Sequence, residues 1–98
     1  MELFPKVLQA VAGDGFSIYI YFNDGSVRFY DAAPLLARGG VFEPIRNPDV
    51  FRRRLTVLND TVAWDIAGTM DPRSCIDLDP WELYESCPVV VDPLKEIS

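Results

Sequence analysis

The chain contains no histidine. That removes Ser-His-Asp and Cys-His catalysis, in which an imidazole is the general base, and every zinc site built on histidine. Cysteine is nearly absent too. Cys75 and Cys87 cannot supply a four-cysteine zinc site, and their spacing is not that of a CxxC redox pair. No GxxxxGK[ST] or GxGxxG stretch occurs, so the common phosphate-cradling loops are missing. No apolar run approaches the ~20 residues that a membrane span requires. The opening Met1-Glu2-Leu3-Phe4-Pro5 lacks a basic n-region followed by an apolar h-region. A cytoplasmic protein without membrane association is therefore expected, with both thiols free in a reducing compartment. A Cys75–Cys87 disulfide is the alternative.

What remains is an ordinary globular mixture. Hydrophobic residues make up 49% of the 98 and charged residues 24%, which is apolar enough to fold and long enough for one core. The expected organisation is a single α+β domain over residues 1–87, with residues 88–98 as a C-terminal tail or edge strand. Net charge is −6, which opposes binding to a phosphate backbone. The charge is uneven, however. Arg46, Arg52, Arg53 and Arg54 share one short segment, whereas Asp77, Asp79, Glu82, Glu85, Asp92 and Glu96 crowd the C-terminal end. Such bipolarity favours a charge-complementary protein partner over nucleic acid.

Alternation and turn chemistry predict antiparallel hairpins. Lys6–Ala12 reads as a first strand, with Gly13-Asp14-Gly15 as its turn. In Phe16–Phe22, residues Phe16, Ile18, Ile20 and Phe22 share one face, and Ser17, Tyr19 and Tyr21 share the other. Asp24-Gly25 as a two-residue loop sets Phe22 opposite Val27, Ile20 opposite Phe29, Tyr21 opposite Arg28 and Tyr19 opposite Tyr30. A short helix starts near Asp31, carries Pro34, Leu35 and Leu36, and stops at Gly39-Gly40. A second begins at Asn47 as N-cap with Pro48 at its first position, anchored by Val50 and Phe51. Arg54–Leu58 and Thr61–Ile66 form another hairpin around Asn59-Asp60, with Val57 opposite Val62 and Leu55 opposite Trp64. Ala67–Ser74 reads as a loop. Asp79-Pro80-Trp81-Glu82 carries an N-cap, a first-turn proline and a capping-box glutamate, and the helix it starts closes at Pro88. About five strands in hairpins with two or three inserted short helices make an antiparallel α+β domain.

Polar candidates for chemistry all have structural explanations. Asp77, Asp79 and Glu82 lie near enough in sequence to hold a hard cation, yet Asp79 and Glu82 already suit a helix start and the spacing is not an EF-hand loop. Cys75 and Cys87 have no basic partner in the sequence and read as packing residues. No catalytic residue, cofactor or metal is expected. Arg52-Arg53-Arg54 suits the negative end of a helix dipole and, alternatively, a phosphate-binding patch together with Arg46. Tyr19, Tyr21 and Tyr30 are placed on one sheet face, to be covered by a helix or to serve as a recognition surface. Trp64 and Trp81 are expected in or at the edge of the core.

Tyr19–Asp31, Pro34-Leu35-Leu36, Val41-Phe42, Val62–Asp65 and Ile76–Glu85, in that order, resemble a small bacterial domain-of-unknown-function family, number 2442. The resemblance covers roughly Phe4 to Glu85, with a longer connection at Ala67–Cys75 than in many members. It implies a small α+β fold and supplies no catalytic residues. Some members are fused to helix-turn-helix DNA-binding domains and others are suspected members of toxin–antitoxin pairs, which implies an accessory or regulatory role. The function expected is a non-catalytic protein-interaction module, antitoxin-like, with a protein partner or a second copy of itself. Its surface is expected at Tyr19, Tyr21, Tyr30, Arg46, Arg52, Arg53 and Arg54. Nucleic-acid binding through the arginines, and then a carboxylate- or metal-dependent enzyme, are the alternatives.

Overall fold

In the computed structural model, which describes residues 4–71, 73 and 75–93, the alternating stretches become two antiparallel sheets. The first has β1 (Val7–Ala12), β2 (Ser17–Phe22) and β3 (Val27–Asp31) side by side, with a two-residue strand, here β7 (Val89–Val90), on the outer edge of β3. The second is β4 (Leu55–Leu58), β5 (Thr61–Trp64) and β6 (Ile76–Asp77). Between them run α1 (Ala33–Ala37), a 3₁₀ helix (Gly40–Arg46) and α2 (Pro48–Arg54), and α3 (Pro80–Ser86) precedes β7. The fold is α+β. It has seven strands among the described residues rather than about five, because β6 and β7 are too short to show a period.

The core lies between the inner face of the first sheet, the second sheet and the helices. Val7, Ile18, Ile20 and Phe22 meet Leu36 of α1, Ile45 of the 3₁₀ helix, Phe51 of α2, Val62 and Trp64 of β5, and Leu83 of α3. Each short helix thus contributes about one anchor, and tertiary burial rather than helix propensity holds it in place. Trp64 is fully buried, and its indole Nε1 donates to the Phe51 carbonyl at 3.1 Å. Phe16 meets Phe51 edge to face at 5.2 Å. Both anticipated helix caps form: Asn47 Oδ1 accepts from the N–H groups of Asp49 and Val50, and Asp79 Oδ1 from that of Trp81. The β1–β4 junction is closed by the Val7 N–H donating to the Asp60 carbonyl at 2.9 Å.

The β2–β3 hairpin departs from the expected register by one residue. Tyr21 faces Val27, Ile20 faces Arg28, Tyr19 faces Phe29 and Ile18 faces Tyr30. The loop has three residues, Asn23-Asp24-Gly25, closed by the Phe22 N–H donating to the Ser26 carbonyl at 3.0 Å, and Gly25 takes φ +89°. This is the three-residue hairpin in which the last loop residue is left-handed. Two side chains select it. Asp24 Oδ1 accepts from the Ser26 N–H and hydroxyl at 2.8 and 2.6 Å, while Asn23 bridges Phe4 and Lys6 at 3.0 Å each. Since a one-residue slip exchanges faces, Tyr30 joins the core side with Ile18 and Ile20, and Phe29 joins Tyr19. The expected grouping of Tyr19, Tyr21 and Tyr30 on one face is therefore corrected.

Arg28, also turned to the inner side, becomes a clamp. Its guanidinium lies 4.1 Å from the centre of the Tyr84 ring and donates to the Cys87 carbonyl at 3.1 Å. The Tyr84 hydroxyl donates to Asp24 Oδ2 at 2.8 Å. The hairpin tip, α3 and the approach to β7 are thus tied together by cation–π and charge-assisted contacts. Trp81 is a second correction: it is 47% exposed on α3, with its ring edge-on to Phe4 at 5.8 Å, and lies outside the core.

Candidate interaction surface

The helices supply their buried anchors to the inner face of the first sheet, and the outer face receives none. That outer face carries Val11, Tyr19, Tyr21, Val27, Phe29 and Val90, by the pairings Val11–Tyr19–Phe29 and Tyr21–Val27–Val90. Val27 is buried at the centre, whereas Val11, Tyr19, Tyr21, Phe29 and Val90 are half-buried. Tyr19 and Phe29 meet edge to face at 5.4 Å. Gly13 allows this arrangement, since a Cβ there would stand 2.6 Å from Ser17 Oγ and 3.0 Å from the Tyr19 ring. A depression of about 450 Å³ lies beside the pair, between the β1–β2 turn and Asp31.

Tyr21 is fixed differently. Its hydroxyl donates to Asp92 Oδ1 at 2.7 Å, which draws the segment after β7 to the outer face. Burial, then the hydrogen bond to Asp92, push its phenol up to about 12. Tyr30 lies across the sheet and lines a cleft with α1 and α3 instead. Its phenol is raised by burial and then by the negative groups beside it.

Arg46 is paired with Glu43 at 3.3 Å. Arg52, Arg53 and Arg54 are all exposed on the last turn of α2, where consecutive side chains leave the helix about 100° apart. Arg54 reaches back toward Gly68, its Nη1 lying 3.3 Å from where a Cβ on that residue would stand.

Both thiols hold their protons more firmly than an exposed cysteine does. Burial pushes Cys87 up, and burial followed by the Asp77 charge pushes Cys75 up, which depletes the thiolate that would react. Asp77, Asp79 and Glu82 line the Tyr30 cleft, with one oxygen of Asp79 spent on its cap. Among the described residues no three acidic or thiol side chains come together closely enough to hold a metal ion. No described helix is long and apolar enough to cross a membrane.

Sequence reasoning missed Val11, Val27, Phe29 and Val90 of the outer face, the expected register having set Val27 and Phe29 on the other side. Phe29 was hidden by the register, although its alternation with Arg28 marked it as the apolar member of the pair. Val90 lies in a strand too short for any pattern. Asp65 was also missed as a structural centre: it is buried, and its carboxylate accepts the N–H groups of Gly68, Thr69 and Met70.

No curated protein and no solved structure matches the chain. The family model described as Protein of unknown function (DUF2442) matches residues 7–89 of the 98, and the chain belongs to that family.

Proposed function

We propose that this domain is a non-catalytic protein-interaction module, of the antitoxin-like accessory kind that the family resemblance implies. The observation that supports it is the outer sheet face, where Tyr19 and Phe29 stand half-exposed beside Val11 and Tyr21 while the helices gather on the other side. Aromatic side chains with an apolar body and few rotatable bonds are the residues that interfaces favour. Formal charge is sparse on the central part of this face, which suits contact with another apolar surface and gives a polyanion nothing to pair with.

The test is size-exclusion chromatography with light scattering on the chain purified from its native host, beside the Tyr19→Glu, Phe29→Glu double variant. A co-eluting protein or a mass of two protomers is expected for the parent. The expected result for the variant is the 11.1 kDa of one chain, with circular dichroism unchanged. A parent of one-chain mass, or a folded variant that keeps its companion, refutes the assignment.

A further inference from the structure

From its lining we infer that the cleft between α1, the 3₁₀ helix, β6 and α3 receives a basic amphipathic segment of a partner protein. The cleft measures about 400 Å³, within the ~300–1,000 Å³ range of ligand-binding clefts. Tyr30, Leu35, Phe42 and Leu78 provide an apolar floor that stays half-exposed. Over this floor stand Asp77, Asp79 and Glu82, all exposed, against the single guanidinium of Arg38.

The two ion pairs found among the described residues, Arg46–Glu43 and Arg73–Asp71, do not involve these acids. Among the described residues these acids therefore stand outside any ion pair, as like charges around unfilled apolar surface. A ligand combining ammonium or guanidinium groups with an aliphatic body answers both features, and an anionic ligand answers neither. A bare cation is a poor match. The carboxylates are spread too widely to converge on one ion, a spacing that suits several charges carried along a chain.

The cleft lies on the helix-bearing side of the sheet, so this inference does not depend on the Tyr19–Phe29 face. The experiment is fluorescence anisotropy of a labelled Leu/Lys amphipathic peptide titrated with the purified full chain, beside its Leu/Glu counterpart. Binding of the basic peptide alone is expected. Asp77→Asn with Glu82→Gln is expected to weaken it about tenfold or more, and Leu35→Ser to weaken it as well. Removing two carboxylates elsewhere, Asp14→Asn with Asp49→Asn, should leave affinity within about twofold, since those charges do not face the cleft. The Tyr19→Glu, Phe29→Glu protein should bind the peptide as the parent does, which separates failure at the sheet face from failure here. Absence of binding to the basic peptide, or equal weakening by the two carboxylate pairs, overturns the inference.

Discussion

Replacing Asp65 with alanine tests how polar side chains are used in this domain. Asp65 follows β5 directly and is 7% exposed. Its Oδ1 accepts from Gly68 at 3.1 Å and Thr69 at 3.2 Å, and its Oδ2 from Met70 at 2.9 Å. Its own N–H donates to the Arg54 carbonyl at 2.9 Å, so truncating the side chain leaves that link in place. A hydrogen bond to an ionised group contributes about 1.5–3 kcal/mol, giving roughly 5–9 kcal/mol gross for three. Residues 67–70 are exposed, and water can recover about half of that once the carboxylate is gone. The net loss is then about 2–4 kcal/mol, a large share of the ~5–15 kcal/mol typical of a domain.

Asp65→Asn sharpens the test. The amide oxygen can keep Gly68 and Thr69, while its NH₂ must face the Met70 N–H, donor against donor. An intermediate loss of about 1–2 kcal/mol is expected. Urea unfolding followed by Trp64 fluorescence should show lowered midpoints with an unchanged slope. A loss below about 1 kcal/mol for alanine, or asparagine as costly as alanine, would show that the carboxylate does not organise the loop.

Further outcomes follow from the placement of Tyr21 and the two tryptophans. Tyr21, raised from 10.0 to about 12 by burial and then by Asp92, contributes stability that is complete below the unfolded value and lost as pH rises through the folded one. Tyr30 and Tyr84 are raised too, so ultraviolet phenolate titration should show several late tyrosines, of which the one near 12 disappears in Tyr21→Phe and falls only part of the way in Asp92→Asn, because burial is the larger cause. Trp64→Phe should destabilise by about 1–3 kcal/mol through lost packing and the unpaired Phe51 carbonyl. Trp81→Ala, which loses one exposed edge contact with Phe4, should cost under about 1.5 kcal/mol. Iodide quenching should reach Trp81 alone; protection of Trp81 would contradict its exposed position.

How far the fold was legible depended on whether local chemistry alone decided each feature. The β4–β5 hairpin formed as expected, with Leu55 opposite Trp64 and Val57 opposite Val62. Asn59 and Asp60 both adopt left-handed φ, 53° and 65°, so the two-residue turn left no freedom in the pairing. Asn47 and Asp79 were readable as caps for the same reason: a side-chain oxygen reaches N–H groups two or three residues ahead. The β2–β3 hairpin was decided by contacts from afar. Asn23 holds Phe4 and Lys6, and Tyr84 holds Asp24 across 60 residues of chain. Alternation in Val27-Arg28-Phe29-Tyr30 pointed to the other register, because the observed one joins Tyr19 to Phe29 and Tyr21 to Val27 but sets Ile20 opposite Arg28. Trp81 was misplaced because a helix start is a local signal, whereas the face a helix buries depends on its neighbours. The 3₁₀ helix carries Pro44 and follows no 3.6-residue period.

The single-residue slip in this hairpin also changes what the outer face can recognise. In the two-residue turn Arg28 would stand opposite Tyr21 and Tyr30 opposite Tyr19, giving a basic, hydroxyl-bearing surface able to meet phosphates. In the three-residue turn the guanidinium moves to the inner side, where Tyr84 and the Cys87 carbonyl occupy it. Val27 and Phe29 take those places. The face becomes aromatic and aliphatic, and its value as a surface lies in desolvation rather than charge. Charge is displaced to the helix-bearing side, where Asp77, Asp79 and Glu82 surround the Tyr30 cleft. One sheet thus has an apolar outer side and an acidic cleft behind it, and Gly25, by accepting the left-handed turn, is the residue that keeps the two chemistries apart.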